Sequence, residues 1–450
     1  MTDAELRDAD RAAAPAVLFE YMGRLGWSTE QLRAEQTAGL RRLVATAKTS
    51  SPWHARRLAH VDAASLTPDD LSALPTMTKD DLMGHFDEIV TDRRLTRALV
   101  ESHLATLEGD RYLLEEYHVL ASGGSSGRRG VFVFDRPAWR SYYACYMRFM
   151  VQLMASMPPP TRPPVMASVA ADKPTHATLA VGLSFLDPAS PRFGASWPLE
   201  RIVAGLNAAQ PDALMGYASV VARLAHEALA GRLRIAPAVI SATSEPLTAE
   251  MRATINAAWH APLFNGFGTT EGLIGGSCTA NRGLHLSTDL VLVEPVDAAG
   301  RAVPPETRSA KAYLTVLYNT VQPIIRYELS DPLVVLDGPC PCGTTLMRVD
   351  DVEGRSDDEF TYAGGVTVHP FPLRSVLGRT PEIIEYQVRQ TERGVDVSIV
   401  CETAPDTAAV ERGLRDALAR AGLAAPEARV AVVEALPRLG VGKLRRFVPR

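Results

Sequence analysis

The chain has 450 residues, of which 46% are hydrophobic and 22% charged, so it can bury large cores and is not expected to be disordered. A net charge of −5 and a pI near 6.1 argue against a general nucleic-acid-binding surface, because phosphate contacts need clustered basic residues. Neither a secretory signal nor an apolar run of membrane-spanning length is found, so the expected location is the cytoplasm. Five cysteines disfavour a disulfide framework.

Three regions follow one another along the chain. Residues 1–110 are predicted to be mainly helical, with Thr78 as the N-cap of one helix. From about 115 to 335, β-rich runs alternate with helical runs, which predicts an α/β arrangement of layered sheets and helices. The pattern then restarts as strand, strand, helix and strand. We therefore predict a large N-terminal domain, residues 1–354, and a small α+β C-terminal domain, residues 355–450.

A glycine- and serine-rich loop lies between the predicted helical region and the strand at Val131–Phe134. Its glycines allow backbone N–H groups to converge on an anion, while hydroxyls and arginines add donors suited to a polyphosphate. A flexible surface loop is the alternative. A Walker loop is excluded, because G-x-x-x-x-G-K-[ST] is absent. The candidate phosphate-binding residues are Ser122, Gly123, Gly124, Ser125, Ser126, Gly127 and Arg128.

Residues 265–271 read Asn-Gly-Phe-Gly-Thr-Thr-Glu. Oxygen donors such as Thr270 and Glu271 suit a Mg²⁺ ion that bridges phosphate oxygens, and the glycines allow a planar ligand to approach the backbone. Downstream, Asp331 can accept both hydroxyls of a ribose, and Arg355 can hold a ribose or phosphate oxygen. Taken singly, these segments could be a turn and surface ion pairs.

The order of these segments, with the closing Pro-Arg-Leu-Gly-Val-Gly-Lys run at 437–443, resembles the adenylate-forming superfamily of acyl-CoA synthetases, peptide-synthetase adenylation domains and luciferases. The likeness is greatest to the phenylacetate-CoA ligase group, whose early and post-hinge segments resemble residues 74–82 and 365–370. The sequence departs from the family in two places. The phosphate loop has Gly123, Ser125, Ser126 and Arg128 where serine, threonines and lysine are usual, and residues 328–330 read Glu-Leu-Ser instead of Arg-Thr-Gly.

The resemblance implies a role for each candidate residue. The glycine- and serine-rich loop would hold the β- and γ-phosphates, and Asp331 would bind the ribose hydroxyls with Arg355 close by. Asp357 would be the hinge between the domains. The residues that would bind adenine and its phosphates are Ser244, Glu245, Pro246, Phe267, Gly268 and Thr269, and those that would act in catalysis are Thr270, Glu271 as the Mg²⁺ ligand, and Lys443.

The implied reaction has two halves. A carboxylate attacks the α-phosphate of ATP, which gives acyl-AMP and pyrophosphate while Lys443 neutralises the developing charge. Rotation about Asp357 then withdraws Lys443, and a nucleophile displaces AMP. Coenzyme A is the leading acceptor, but a carrier protein, an amine, or adenylation of another oxyacid such as nitrous acid stays open. Family analogy also suggests a homodimer.

A second class of function is a nucleotide-binding sensor that has lost catalysis. The joint presence of Glu271, Asp331, Asp357 and Lys443 disfavours it. The acid pocket is predicted to be small and flat, and to suit an aromatic acid, with ordinary core packing as the alternative for each residue of its wall. Those wall residues are Tyr142, Gly216, Tyr217, Ala242, Leu273, Ile274 and Gly275.

A further set of residues suggests a metal site. Cys278 and His285 form Cys-x₆-His, and Cys340 and Cys342 lie downstream in Cys-Pro-Cys-Gly. Thiolate and imidazole ligands in a closed tetrahedron suit a structural Zn²⁺ ion, and similar cysteines occur in some members of the group. The spacing of the last two cysteines is tighter than the usual Cys-x₂-Cys, and unpaired thiols are the alternative.

Overall fold

The computed structural model describes residues 1–122, 129–155, 162–280, 283–352, 358–380, 382–439 and 442–450. The helices in these ranges are α1 Asp3–Arg24, α2 Thr29–Ser50, α3 Pro52–Arg57, α4 Lys79–Gly84, α5 Phe86–Ile89, α6 Arg97–Ala105, α7 Arg136–Ala155, α8 Ala177–Phe185, α9 Leu199–Ala209, α10 Ala218–Leu229, α11 Ala249–Trp259, α12 Pro370–Gly378 and α13 Thr407–Arg420. Short 3₁₀ helices cover Pro68–Ala73 and Ala363–Gly365.

The strands in the same ranges are β1 Tyr117–Ala121, β2 Val131–Asp135, β3 Met166–Ala170, β4 Arg192–Gly194, β5 Ala213–Tyr217, β6 Val239–Thr243, β7 Leu263–Gly268, β8 Ile274–Ser277, β9 Leu284–Leu286, β10 Val291–Val296, β11 Lys311–Val316, β12 Tyr327–Leu329, β13 Arg348–Val349, β14 Phe360–Thr361, β15 Thr367–Val368, β16 Ile383–Gln390, β17 Gly394–Cys401, β18 Glu427–Val432 and β19 Phe447–Val448. The predicted α/β architecture of layered sheets and helices is confirmed.

The N-terminal region is helical as predicted, from α1 to α6. Thr78 caps α4, because its side chain accepts a hydrogen bond from the Asp81 N–H at 3.1 Å. Across the described residues, none of the helices has both the length and the apolar character that a membrane crossing requires.

An eight-stranded sheet positions the site, with strand order β13-β9-β8-β7-β6-β5-β3-β4. The strands β4, β3, β5, β6 and β7 run parallel to one another, so their carboxyl ends meet at one edge. Helix α7 covers one face, and α10 with α11 covers the other. Successive side chains of a strand point to opposite faces. On β6, Ser241 therefore faces the α7 side, whereas Ala242 packs against α10 and α11.

Residues 360–447 contain a separate hydrophobic core. Its sheet has the order β18-β17-β16-β19, and α12 and α13 pack against it through residues such as Leu373 and Leu414. The last strand, β19, pairs in parallel with β16, which ties the chain that follows Lys443 to this sheet. The predicted domain boundary at 354/355 lies among residues 353–357, outside the described residues.

Candidate active site

Two cavities adjoin at the carboxyl edge of the eight-stranded sheet. The first, which we call the polar cavity, is lined by Glu245, Pro246, Phe267, Asp331 and Arg374, among others. The second, the apolar cavity, lies between α7, α8 and the strands β3, β5 and β6. The residues that line both are Ser244, Gly268, Thr269 and Lys443. A ligand group placed at this junction would therefore be in reach of the contents of both cavities.

The polar cavity is formed by the loops that follow β6 and β7. Ser244 follows the last residue of β6 with φ +64°, a left-handed conformation that is uncommon for a residue other than glycine. This turn redirects the chain at the junction. Phe267 is the half-buried penultimate residue of β7, and Asp331 is only 7% exposed. The predicted nucleotide-binding residues Ser244, Glu245, Pro246, Phe267, Gly268, Thr269 and Asp331 thus lie around one cavity.

Lys443 reaches the junction from residues 442–444, which we call the Lys443 turn. Gly442 donates to the Leu439 carbonyl at 2.7 Å with φ +80°, and a Cβ at this position would lie 2.8 Å from the Ala195 Cβ. The turn therefore requires glycine. The Lys443 ammonium lies 5.6 Å from the ring centroid of Tyr217, which is fully buried beneath it. A cation–π contact of this kind orients the ammonium towards the junction.

Glu245 holds the Lys443 turn to the large sheet. Its Oε1 accepts from the backbone N–H of Leu444 at 2.9 Å, and its Oε2 accepts from the N–H of Ser219, at the start of α10, at 2.9 Å. Nearby, Arg438 donates to Glu385 at 2.5 Å, and Arg223 of α10 lies 3.6 Å from the same carboxylate. The sequence placed Glu245 beside adenine, and its bond to a segment 199 residues away was not foreseen.

The two remaining predicted catalytic residues, Thr270 and Glu271, directly follow Thr269, which lines the junction. Glu271 is 5% exposed, and its carboxylate accepts a long hydrogen bond of 3.4 Å from the Tyr327 hydroxyl. Thr270 lines the apolar cavity. The hydroxyl of Tyr142 donates to the Thr269 carbonyl at 3.1 Å, and burial raises the pKa of Tyr142 well above its usual value, so this phenol stays protonated.

Of the predicted phosphate loop, only its first residue is described. Ser122 follows β1, and its hydroxyl accepts from the Gly130 N–H at 2.8 Å. It lines the apolar cavity. The predicted residues that lie outside the described residues are Gly123, Gly124, Ser125, Ser126, Gly127, Arg128, Arg355 and Asp357.

The apolar cavity contains two of the seven predicted wall residues, Tyr142 and Ile274. Gly216 and Ala242 belong to the opposite face of the sheet, since a Cβ on Gly216 would meet Val221 of α10 at 3.0 Å and Ala242 packs in the core of α10 and α11. Leu273 is a fully buried core residue. A Cβ on Gly275 would meet Leu286 of β9 at 2.7 Å, and Tyr217 supports Lys443 from below.

Sequence reasoning missed most of this cavity. Five methionines line it, Met147, Met150 and Met154 on α7, Met166 on β3 and Met215 on β5. The spacing Tyr142, Tyr146, Met150, Met154 places one face of α7 against the cavity, and this four-residue period was the signal available in the sequence. His176 was also missed. It lines the cavity near Lys443. Burial lowers the pKa of His176 well below its usual value, and the nearby positive charge of Lys443 lowers it further.

A cluster of four possible metal ligands belongs to the described lining of neither cavity. The ligand atoms of Cys278, His285, Cys340 and Cys342 lie within 4.8 Å of one another. Cys278 Sγ is 3.3 Å from Cys340 Sγ, and Cys342 Sγ is 3.3 Å from His285 Nε2. The pairing of β13 with β9 brings the second cysteine pair beside His285. These separations fit a tetrahedral Zn²⁺ site, in which ligand atoms lie roughly 3–4 Å apart.

Comparison with known proteins places this geometry in context. No family model matches the chain. A phenylacetate-coenzyme A ligase of Thermus thermophilus is 29% identical over 150 residues, which are 32% of this chain and 34% of the relative. The match therefore spans about a third of the curated relative.

Solved structures of 2-hydroxyisobutyryl-CoA ligase match nearly the whole chain. In the postadenylation state with R3-HIB-AMP, that ligase has a TM-score of 0.71 at 20% identity, and the match covers 95% of this chain and 91% of that one. In the thioesterification state with 2-HIB-AMP and CoA, the TM-score is 0.57 at the same identity and coverage. The chain has the fold of the adenylate-forming ligases, as its sequence motifs implied.

Proposed function

We propose that this protein activates a carboxylic acid with ATP and Mg²⁺ as an acyl-adenylate and then transfers the acyl group to a thiol, with coenzyme A as the leading acceptor. The observation that carries the proposal is the junction of the two cavities at Lys443. A nucleotide in the polar cavity and an acid in the apolar cavity would meet at the Lys443 ammonium, whose positive charge would stabilise the negative charge that develops in their reaction.

The junction suits attack of a carboxylate on the α-phosphate. One carboxylate oxygen forms the new bond to phosphorus, and pyrophosphate leaves with the electrons of the broken bond. Negative charge that develops between the two reactants would be stabilised by the Lys443 ammonium, which is already positioned by the Gly442 turn and the Tyr217 ring.

The buried Glu271 carboxylate, with Thr270 next to it, fits a hard divalent cation. These two residues would hold Mg²⁺, which would supply neutralising charge to the triphosphate. Asp331 would bind the ribose, since a carboxylate that is 7% exposed and lines the polar cavity can accept both hydroxyls. The Ser244–Pro246 segment and Phe267 would flank the adenine.

The domain arrangement supports assignment of the described conformation to the first half-reaction. Lys443 lies at the junction, and Glu245 ties the next residue to α10. The higher TM-score against the postadenylation structure than against the thioesterification structure agrees with this. In the second half-reaction, residues 355–450 would rotate about Asp357 against residues 1–354, and the Glu245 bond would break.

Support for coenzyme A as acceptor comes from the similar proteins, a phenylacetate-coenzyme A ligase and 2-hydroxyisobutyryl-CoA ligase. A carrier-protein thiol or an amine would use the same adenylate, and adenylation of another oxyacid would use the same junction. The second half-reaction decides among these acceptors, because the first is common to all.

We also propose that the Cys/His cluster holds a structural Zn²⁺ ion. The Nδ1 atom of His285 lies 3.1 Å from the Leu346 carbonyl, which favours a proton on Nδ1 and leaves Nε2 free to bind metal beside Cys342. Among the described lining residues of the two cavities, none belongs to the cluster, so the ion would stabilise the fold without taking part in the reaction.

The test is acid-dependent exchange of labelled pyrophosphate into ATP, across benzoates, phenylacetate, cinnamates, fatty acids and nitrite. We expect exchange that requires both Mg²⁺ and one class of acid. If ATP binds but no member of the panel supports exchange, the proposal is wrong and a nucleotide-binding sensor takes its place.

A further inference from the structure

We infer that the acid is an elongated, unbranched one with an uncharged apolar tail, a straight-chain alkanoic acid of roughly a dozen carbons. This inference rests on the proposed function and specifies its substrate class. It differs from the small, flat acid that the sequence suggested.

The first argument is the length of the apolar cavity. Its lining includes Ser244 and Thr269 at the carboxyl edge of the sheet, and also Met166, Ala213 and Val239, which are the first residues of β3, β5 and β6. On β6 the lining runs from Val239 through Ser241 and Thr243 to Ser244, so the cavity follows the whole length of this strand. From Val239 to Ser244 the chain advances roughly 16 Å at about 3.3 Å per residue.

Helix α7 gives an independent measure of the same length. Tyr142, near the Lys443 end, and Met154, near the end of the helix, both line the cavity. The rise between them is roughly 18 Å at about 1.5 Å per residue. An extended polypeptide advances roughly 3.3–3.6 Å over three backbone bonds, so an extended alkyl chain of about a dozen bonds covers roughly 13–14 Å, which leaves room at each end for the side chains that close the cavity.

The second argument is the distribution of polar groups. Lys443, His176, Thr269 and Thr270 line the end where the carboxylate would react, and the methionines with Ala213, Leu214 and Val239 line the remainder. Between them, the hydroxyl oxygen of Tyr146 lies 3.2 Å from the Ser241 hydroxyl and 3.4 Å from the Met215 sulfur, so this hydroxyl already has hydrogen-bond partners within the protein. Polar groups on the tail would find few partners beyond this point.

The third argument is charge. Among the described lining residues, Lys443 carries the one charged side chain, because burial keeps His176 neutral. A second carboxylate on the acid would have to be desolvated without a cation to pair with it, which is costly. Methionine side chains are flexible and adapt to an extended chain, so a range of chain lengths fits better than one rigid ring.

The experiment measures kcat/KM for pyrophosphate exchange with butanoate, hexanoate, octanoate, decanoate and dodecanoate, beside benzoate and phenylacetate. We expect kcat/KM to rise by roughly two- to fourfold per methylene along the alkyl series. In Met154→Trp, which would block the far end, the ratio of dodecanoate to butanoate activity should fall by about tenfold or more. Val151→Trp, at a half-buried position of the same helix outside the cavity lining, should leave that ratio unchanged.

Met154→Ala is a second variant, which keeps the inference testable if Met154→Trp fails to fold. Because it removes bulk from the far end of the cavity, it should shift the preferred substrate to longer acids. A flat or falling chain-length series, with benzoate or phenylacetate preferred, would overturn the inference and leave the proposed function intact. Absence of exchange with every acid would overturn both. An equal loss on butanoate and dodecanoate in Met154→Trp, together with an unshifted optimum in Met154→Ala, would also overturn the inference.

Discussion

The two cavities differ in how the chain builds them. The polar cavity is built from short contiguous segments that follow β6 and β7, together with single residues such as Asp331 and Lys443. The apolar cavity is built from side chains scattered over α7, α8 and three parallel strands. In the proposed function, the nucleotide chemistry would thus be carried by loops, which can be kept while the packed surfaces behind them vary. We expect the identity of the acid to depend on the packed surfaces that line the apolar cavity.

The largest effect is expected at the junction. Lys443→Ala should reduce acid-dependent pyrophosphate exchange by about 10²–10³-fold, since it removes the cation that stabilises the transition state. Thioester formation from supplied acyl-AMP and coenzyme A should change little, because Lys443 would be withdrawn in that step. Arg429→Ala, which removes an exposed cation from the small sheet, is the matched control and should behave as wild type.

Loss of Asp331 should affect the polar cavity alone. Asp331→Ala should raise the KM for ATP by about 10–100-fold, because hydrogen bonds to a charged group contribute roughly 1.5–3 kcal/mol. The KM for the acid should stay within about twofold, since Asp331 does not line the apolar cavity in the described structure. Asp337→Ala removes an exposed carboxylate nearby in sequence and serves as the control. Equal changes in both KM values would show that the two cavities are not independent.

A smaller effect is expected at the contact between the Lys443 turn and α10. Glu245→Ala should slow pyrophosphate exchange by about tenfold, because two backbone N–H groups lose a charged acceptor. Thioester formation from supplied acyl-AMP should be unaffected or faster, and Glu245→Gln, which keeps one acceptor oxygen, should be intermediate. A defect of the same size in both half-reactions would mean that Glu245 merely stabilises the fold.

The smallest effect on activity is expected at the metal cluster, which belongs to neither cavity. Elemental analysis should find about one Zn²⁺ per chain. Removal of the ion by a chelator, or Cys342→Ser, should lower Tm, because a ligand that binds the native state stabilises it. The KM values for ATP and acid should change by less than about twofold at a temperature where the protein stays folded. Metal content far below one per chain, with Tm insensitive to the chelator, would contradict the zinc proposal.

The sequence predicted the polar cavity better than the apolar one for physical reasons. Ser244, Phe267 and Asp331 lie in short segments that resemble motifs of the adenylate-forming superfamily, and the resemblance implied their grouping around one ligand, which the polar cavity brings together. The apolar cavity depends on which face of α7 packs on the sheet, and on which alternate residues of each strand face α7. On β6 the prediction chose Ala242, but Ser241 and Thr243 are the residues that face α7.

The sequence also did not predict contacts between residues that are far apart in the chain. The segment 244–246 was placed beside the adenine, and nothing in the sequence indicated that the Glu245 carboxylate accepts from the N–H groups of Leu444 and Ser219. The metal cluster was the exception, since the Cys-x₆-His segment and the downstream Cys-Pro-Cys-Gly segment predicted a common site, and the four ligand atoms do lie together. The domain hinge at Asp357 stays a prediction.

The most direct test of the account is a single-turnover reaction without acceptor, in which wild-type protein, ATP, Mg²⁺ and a saturating acid are quenched and analysed by mass spectrometry. The account predicts up to one acyl-AMP per chain, with an equal amount of pyrophosphate and no ADP. Formation of ADP and phosphate, or an acyl-phosphate in place of acyl-AMP, would contradict it.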